Sequence, residues 1–205
     1  LTTSVDAGKD FTGTNKDDLF IGDNTVTNKT SSATDTLDGG KGTDTFKLYA
    51  GNPAAATDSN LIAGELPTLK NIENVVLYDF KNGTTAADLD LTKWDSVETL
   101  YMVRAGSTVG NANGIKLGEK VTTVNFETTS SAQKVTFDAK LTAATLGVNN
   151  VTGAVNTTVN GTALKTLTVD ASGKASNVAL VNNAIETLNI TGKANLTLDA
   201  TNTSI

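Results

Sequence analysis

A ten-residue segment, LDGGKGTDTF at residues 37–46, concentrates glycine and aspartate in one place. Glycine accepts backbone conformations with positive φ and lets carbonyl oxygens converge, while aspartate adds carboxylate oxygens. Together these groups could enclose a hard cation such as Ca²⁺. The chain has no cysteine and no histidine, so thiolate and imidazole metal sites are excluded. Any metal held here should therefore be bound by oxygen.

A second glycine and aspartate segment aligns with the first. When their Asp-x-Phe endings are matched, residues 13–21 lie over residues 39–47, and Asp18 lies over Asp44. Asp35 repeats the Asp-x-apolar ending between them. A unit of about nine residues fits a turn of about six followed by a strand of about three, so two units predict one coil of about 18 residues.

The distance between the two aligned turns requires an inserted loop. Asp18 and Asp44 are 26 residues apart, which exceeds one coil of about 18 residues. The polar run at residues 24–32 is the natural insertion and is expected to loop out of the coil. The Asp18 and Asp44 turns then stack on one edge, where their carbonyl and carboxylate oxygens suit Ca²⁺ better than Mg²⁺.

Residues 39–47 resemble the glycine-rich nonapeptide of RTX proteins, Gly-Gly-x-Gly-x-Asp-x-apolar-x. The opening LTTSVDAGKDFTGTNKDDLF is similar to a segment of bacterial S-layer and related type I-secreted surface proteins. This resemblance covers about residues 1–50, and only residues 39–47 match the nonapeptide in full. It implies a parallel β-roll that binds Ca²⁺ between its turns, in a secreted protein of the cell surface.

The predicted calcium site combines the two aligned turns. In the first turn, Thr14 and Lys16 replace two glycines of the motif, although a carbonyl ligand does not depend on its side chain. On the opposite edge, the turn expected to face Asp35 offers Lys9, with Asp10 displaced by one position. The predicted metal ligands are Asp18, Asp44, Gly13, Asn15, Gly40, Gly42 and Asp35.

From residue 67 onward the sequence repeats a strand pattern. The pattern apolar-x-(Thr/Asn)-apolar-x-apolar begins at residues 72, 97, 121, 143, 164 and 185. Each copy is followed by a second short alternating segment, such as VTF at residues 135–137. Two short strands per unit predict a parallel β-solenoid with coils of about 21–25 residues. The recurring Thr or Asn favours this fold over a β-sandwich and predicts a ladder of side-chain hydrogen bonds.

The predicted fold is all-β, with a right-handed parallel β-roll of the RTX type leading into the solenoid. Residues 1–50 are assigned to the calcium-binding roll, residues 51–66 to a linker or loop excursion, and residues 67–205 to the solenoid repeats. Because no polar cap follows the sixth copy, the chain is expected to be a fragment that continues beyond residue 205.

The net charge and the hydropathy of the sequence argue against two classes of partner. The net charge is −6 and the lysines are scattered, so a nucleic-acid partner is not expected. No apolar run approaches the ~20 residues of a membrane-spanning helix, so membrane insertion is not expected either. The leading hypothesis is a structural segment of a secreted, calcium-stabilised S-layer protein that self-associates into a surface lattice. No enzymatic activity is expected.

Two alternatives remain at this stage. One is an adhesin or carbohydrate-binding module that recognises a cell-surface polysaccharide through an aromatic row. Its candidate rings are Tyr49, Tyr78, Trp94 and Tyr101, with Tyr78 and Tyr101 at equivalent positions of successive copies. The other, less favoured, is a polysaccharide-degrading enzyme, which would need positioned carboxylates or a basic residue. The groups available to it are Asp79, Asp88, Asp90, Lys81 and Arg104.

Overall fold

The computed structural model of the chain is all-β, as the sequence predicts. It describes residues 1–25, 28–50, 59–60, 65–81, 89–106, 114–152, 155–181 and 184–200. In these ranges there are 18 strands and a 3-10 turn at Lys9–Phe11. None of the helical structure there has the length and apolar character of a membrane span.

The strands are short, with two to seven residues each. Their threonine, valine and asparagine side chains suit a pleated, half-buried surface joined by turns. In chain order they are β1 (Leu19–Asp23), β2 (Thr36–Asp38), β3 (Thr45–Tyr49), β4 (Ser59–Asn60), β5 (Thr68–Lys70), β6 (Asn74–Tyr78), β7 (Phe80–Lys81), β8 (Leu89–Asp90), β9 (Thr99–Val103), β10 (Ile115–Lys116), β11 (Thr123–Glu127), β12 (Gln133–Thr136), β13 (Ala143–Asn149), β14 (Val155–Asn160), β15 (Thr166–Ala171), β16 (Ser176–Val181), β17 (Thr187–Gly192) and β18 (Leu196–Ala200).

Strands from successive coils pair in parallel and build a β-solenoid of about six turns. One sheet has eight strands in the order β1-β3-β6-β9-β11-β13-β15-β17. A second has six strands in the order β8-β10-β12-β14-β16-β18, and two further pairs are β2-β5 and β4-β7. A parallel neighbour requires a crossover connection, and here the rest of each coil provides it. The predicted two-strand repeat of the solenoid is confirmed.

The first two coils have the register that the aligned turns predict. Leu19 lies opposite Thr45, and the following residues of β1 and β3 keep that pairing. The predicted insertion at residues 24–32 lies between β1 and β2, and its described ends are tied together. The Asn24 Oδ1 atom accepts a hydrogen bond from the Ser31 backbone N–H at 3.0 Å. A closed loop of this kind lengthens the coil without disturbing the sheet.

The eight-stranded sheet runs without a break from the residues of the predicted roll into those of the predicted solenoid. The coil between β3 and β6 is longer than the predicted unit of about 18 residues, because the paired residues Thr45 and Asn74 are 29 positions apart in the sequence. Of the predicted linker at residues 51–66, the structure describes residues 59–60 and 65–66. The rest of that prediction lies outside the described residues.

A row of threonine and asparagine side chains runs along the outer face of this sheet. Members of the row are Asn74, Thr99, Thr123, Thr145 and Thr168. The sequence pattern placed Thr166 in this row, but the register pairs Thr166 with Ala143. A shift of two residues leaves each side chain on its own face of the sheet, so the core tolerates it.

The predicted ladder of side-chain hydrogen bonds along this row is wrong. These side chains are half-buried, and no hydrogen bond joins successive members among the residues that the structure describes. They lie on the outer face, where water competes for the hydroxyl groups.

The core consists of inward side chains that stack from coil to coil. In β3, Phe46 and Leu48 are fully buried between half-exposed neighbours. Phe46 pairs in register with Val75, which pairs with Leu100, and all three are at most 1% exposed. Each such side chain contributes about 1.5–3 kcal/mol by burial. A continuous apolar column therefore holds neighbouring coils together.

Four successive coils leave the large sheet through a residue with left-handed backbone. Asp79, Arg104, Thr128 and Asn150 follow β6, β9, β11 and β13, with φ of 52°, 51°, 53° and 57°. The left-handed region is uncommon for residues other than glycine. Pairing continues across this corner, since the Asp79 N–H donates to the Val103 carbonyl at 3.1 Å.

Candidate metal centre

The glycine-rich turns stack on one edge of the solenoid, immediately before the strands of the large sheet. The Asp44 Oδ1 atom accepts a hydrogen bond from the Asp18 backbone N–H at 2.7 Å. The Glu73 Oε2 atom accepts one from the Asp44 N–H at 2.8 Å. Each carboxylate thus pairs with the N–H of the equivalent residue one coil earlier. The three acidic residues form a column along the axis, and two of them were predicted as ligands.

The two predicted aspartates use their second carboxylate oxygens differently. Asp18 closes its own turn, because its Oδ2 atom accepts from the Thr14 N–H at 2.6 Å and the Thr14 hydroxyl at 2.9 Å. The equivalent donor in the next coil is Gly40, which has φ of 88° and donates to Asp38 Oδ1 at 3.1 Å. As a result Asp44 Oδ2 is buried with no hydrogen-bond partner in the described part of the chain.

An unpaired, buried carboxylate oxygen is energetically unfavourable. Asp44 is fully buried, and this desolvation is the main cause that raises the pKa of its carboxyl group above 3.8. The negative charges of Glu73, Asp18 and Asp17 raise the pKa further, and the hydrogen bond from the Asp18 N–H opposes them. The site thus has a local excess of negative charge that a cation would relieve.

The backbone at Gly39 packs closely against this oxygen. A Cβ atom at Gly39 would collide with both Asp44 Oδ2 and the Asn71 carbonyl oxygen, so both atoms border the same point. The Cβ position at Gly13 is crowded in the same way, because it would lie 2.8 Å from Asp18 Oδ2 and would collide with the Gly39 carbonyl. A carboxylate oxygen and a carbonyl oxygen that lie close together are the donor types that Ca²⁺ prefers.

The outer side of these turns opens into a polar cleft of about 480 Å³. Asn15 and Gly40, both predicted ligands, line it together with Asp38 and Asn71. Asp38 Oδ1 already accepts from the Asn71 side-chain amide at 2.8 Å. Gly42 has another role, because a Cβ there would lie 2.8 Å from the Asp17 nitrogen and would push the two coils apart.

Asp35 lies on the opposite edge and is buried there. Its Oδ1 atom accepts from the Asp6 backbone N–H at 3.0 Å, and its Oδ2 atom accepts from the Ser32 N–H at 2.7 Å. The residue that faces it is therefore Asp6, whereas the sequence pointed to Lys9 and Asp10. Both oxygens of Asp35 stabilise backbone N–H groups, so the geometry assigns it a bracing role between coils.

Sequence analysis missed Glu73 and Asn71 in the Asp44 turn. Both lie in the coil after the motif, where no glycine-rich nonapeptide is present. A signal for Glu73 does exist, because it occupies the position before Asn74 just as Asp44 precedes Thr45. Asn71 contributes a backbone carbonyl and has φ of 49°, so only the stacked coils reveal it.

The residues present can supply part of a calcium coordination sphere. Three or more acidic side chains do not converge on one point anywhere in the described ranges. Ca²⁺ takes six to eight oxygen ligands, which include backbone carbonyls and water. A calcium ion at this turn would therefore bind Asp44 Oδ2 and the Asn71 carbonyl, and would take its remaining ligands from other backbone oxygens and water.

The aromatic candidates are placed differently from the prediction. Trp94 is buried, and its indole N–H donates to the Pro67 carbonyl at 2.9 Å. Tyr78 is in register with Tyr49, and their rings stack with centroids 4.7 Å apart. Tyr101 lies opposite Val76, so the predicted equivalence of Tyr78 and Tyr101 is wrong by two positions. The copies that begin at residues 72 and 97 already place Tyr101 opposite Val76, so the predicted equivalence disagrees with the sequence alignment as well.

The acidic groups considered for catalysis are already hydrogen-bonded. Asp79 is buried and forms a two-pronged ion pair with Arg104, at 2.8 Å from Nε and 2.6 Å from the terminal nitrogen. Asp90 accepts a hydrogen bond from the Thr92 N–H at 2.9 Å. Asp88 and the side chain of Lys81 lie outside the described part of the structure.

Comparison with known proteins assigns the chain to no family. No family model, curated protein or solved structure matches the chain. A β-solenoid hosts many unrelated functions. The function is therefore argued from the glycine-rich turns and the surface of the coils.

Proposed function

We propose that this chain is a structural segment of a secreted, calcium-stabilised cell-surface protein of the S-layer type. The observation that carries the proposal is the buried, unpaired Asp44 Oδ2 atom, which lies against Gly39 close to the Asn71 carbonyl oxygen. A bound Ca²⁺ would neutralise this oxygen and link two coils. Millimolar calcium outside cells would keep such a site filled.

The architecture supports a structural role. Two parallel sheets follow the same axis, and their inward side chains form one apolar core from Leu37 to Ile185. The strands of neighbouring coils are joined in register by backbone hydrogen bonds. A stack of coils paired in this way is suited to carry mechanical load along its axis. A calcium ion at the Asp44 turn would stabilise the coils that precede the long sheet.

Direct calcium titration tests this proposal. We expect isothermal titration calorimetry of the chelator-treated chain to show saturable Ca²⁺ binding, with much weaker binding of Mg²⁺. Asp44→Asn should abolish this binding, because the amide keeps the size of the side chain and removes its charge. Asp95→Asn is the matched control, since Asp95 is exposed and its loss changes the net charge by the same amount. No binding heat with the parent, or equal binding by Asp44→Asn, would contradict the site.

Assembly is tested separately. Sedimentation velocity should show monomers in chelator and larger, regular assemblies when calcium is added at increasing protein concentration. Electron microscopy of the calcium sample should then show ordered sheets or rods. Calcium binding without any assembly would restrict the proposal to a calcium-stabilised solenoid and remove the lattice.

One specific observation supports the carbohydrate-binding alternative, namely that the ring of Tyr101 is exposed on the outer face. Trp94 is buried and Tyr49 stacks on Tyr78, so these three rings do not offer a flat row to a sugar. Saturable binding to a glycan array that Tyr101→Ala removes would favour an adhesin. The enzyme alternative is weaker, because Arg104 pairs with the Asp79 carboxylate.

A further inference from the structure

A pair of tyrosines is held face to face on the outer surface of the large sheet. Tyr49 and Tyr78 are the last residues of β3 and β6, and they are directly opposite in register. Their ring centroids are 4.7 Å apart and their planes differ by 18°. Both residues are half-buried, so their rings remain accessible to small molecules.

The next coil holds the Tyr78 ring in place. The Arg104 guanidinium carbon lies 5.5 Å from the centroid of that ring, within the range of a cation–π contact. Arg104 is itself fixed by its two-pronged ion pair with the buried Asp79. Three coils thus contribute to one ordered stack, and the backbone on each side of the pair is fixed by strand pairing.

We propose that Tyr49 and Tyr78 are a site of oxidative cross-linking, in which a haem peroxidase and hydrogen peroxide join the two rings as dityrosine. Each phenol loses one electron and its phenolic proton, which gives two tyrosyl radicals. The radicals form a carbon–carbon bond between ring positions ortho to the oxygens. The hydrogens on those carbons then move to the oxygens through solvent and restore both phenols. The two electrons and two protons removed convert one hydrogen peroxide to two waters.

The register favours this pair over other tyrosines. Coupling requires two radicals to meet, and the sheet already holds these rings in contact, which replaces a bimolecular encounter with an intramolecular one. Tyr101, the third tyrosine of the chain, is exposed but lies between Val76 and Asn125 in the adjacent strands. It therefore has no tyrosine directly opposite it and serves as an internal control.

The cross-link would join two coils covalently in a chain that contains no cysteine. It would close a loop between positions 49 and 78, which are 29 positions apart, and a closed loop of this kind restricts the unfolded chain much as a disulfide does. The expected consequence is a higher melting temperature without a change of fold. This inference does not depend on calcium binding, so either proposal can fail alone.

Peptide mapping gives the test. Dilute protein is treated with a haem peroxidase and one equivalent of hydrogen peroxide, and the monomer band is digested with trypsin. Cleavage after Lys47, Lys70 and Lys81 places Tyr49 in peptide 48–70 and Tyr78 in peptide 71–81. We expect dityrosine fluorescence in the monomer and a cross-linked pair of these peptides that lacks two hydrogens.

Variants and a denatured control make the result decisive. Tyr49→Phe and Tyr78→Phe keep a stacked ring and should each abolish the monomeric cross-link, whereas Tyr101→Phe should retain it. Treatment in urea should remove the preference for this peptide pair. The proposal is overturned if dityrosine forms only between molecules, if the linked peptide contains Tyr101, or if tyrosine is consumed without a 49–78 link.

Discussion

Replacing Asp44 by asparagine should stabilise the protein without calcium and remove its response to calcium. Asparagine keeps an oxygen that accepts the Asp18 N–H, a contact of 2.7 Å in the parent. Its amide nitrogen replaces the unpaired Oδ2 atom and would lie close to the Asn71 carbonyl, which contacts the same point of Gly39. The substitution thus exchanges a buried, unpaired charge for a neutral donor beside an acceptor.

The expected change in stability follows from the geometry of the parent protein. An unsatisfied buried polar group costs about 1–3 kcal/mol, and the neutral amide accepts the Asp18 hydrogen bond somewhat less strongly than the carboxylate. A net gain of about 1–2 kcal/mol raises the melting temperature by roughly 3–6 °C for a chain of this length. In calcium the order should reverse, because a ligand at 100 times its Kd stabilises the parent by about 2.7 kcal/mol.

Acidity provides a second signature of the same residue. Burial raises the pKa of Asp44 above 3.8, so between pH 3.8 and the raised pKa the folded protein binds a proton that the unfolded chain releases. The loss of stability from the buried carboxylate is therefore present above the raised pKa and disappears as the pH falls to 3.8. In chelator, the advantage of Asp44→Asn over the parent should therefore shrink as the pH is lowered through this window.

Thermal unfolding followed by circular dichroism measures all three effects. Parent, Asp44→Asn and the control Asp95→Asn are melted in chelator and in calcium, at neutral and at acidic pH. An Asp44→Asn protein that is less stable than the parent in chelator would refute the reasoning about the unpaired oxygen. An equal calcium response in parent and variant would refute its role as a ligand.

Three further experiments, some with a second variant for comparison, test the surrounding structure. Gly39→Ala should lower the melting temperature and abolish calcium binding in calorimetry, because its Cβ would collide with Asp44 Oδ2 and the Asn71 carbonyl and push them apart. Phe126→Ala should destabilise the solenoid by about 3–5 kcal/mol in urea unfolding, whereas the half-buried Thr123→Ala should change it by no more than about 0.5 kcal/mol. Arg104→Met should cost about 2–3 kcal/mol by the same measurement, because it leaves the Asp79 carboxylate buried and unpaired. Adding Asp79→Asn should recover part of that loss, and no recovery would contradict the ion-pair argument.

The sequence predicted the strands of the solenoid well, because its repeat is expressed residue by residue. Each copy places alternate apolar side chains before a turn, and the strands β6, β9, β11, β13, β15 and β17 lie where those copies are. Inward and outward faces follow from strand alternation. A register shift of two residues keeps these faces, so the sequence could not distinguish Thr166 from Thr168 as the partner of Thr145.

The same limit of sequence analysis explains why the stacked acidic residues were only partly predicted. The match between Asp18 and Asp44 was visible because each is the aspartate of an Asp-x-Phe ending. Asp6 and Glu73 lie outside that motif and are 29 residues from Asp35 and Asp44. Loops of different length separate these coils, and a loop that leaves the coil changes the spacing in sequence without changing the stack in space.

By itself, the sequence determined that the chain is all-β, that its coils stack in parallel, and that any metal must be held by oxygen. Composition and period suffice for these conclusions because they depend on residue types and alternation. The tertiary structure alone decided that Asp35 braces the backbone, that Tyr49 meets Tyr78, and that one oxygen of Asp44 lacks a partner. These facts depend on which residue of the neighbouring coil lies opposite, and hydrogen bonding across the stack sets that register.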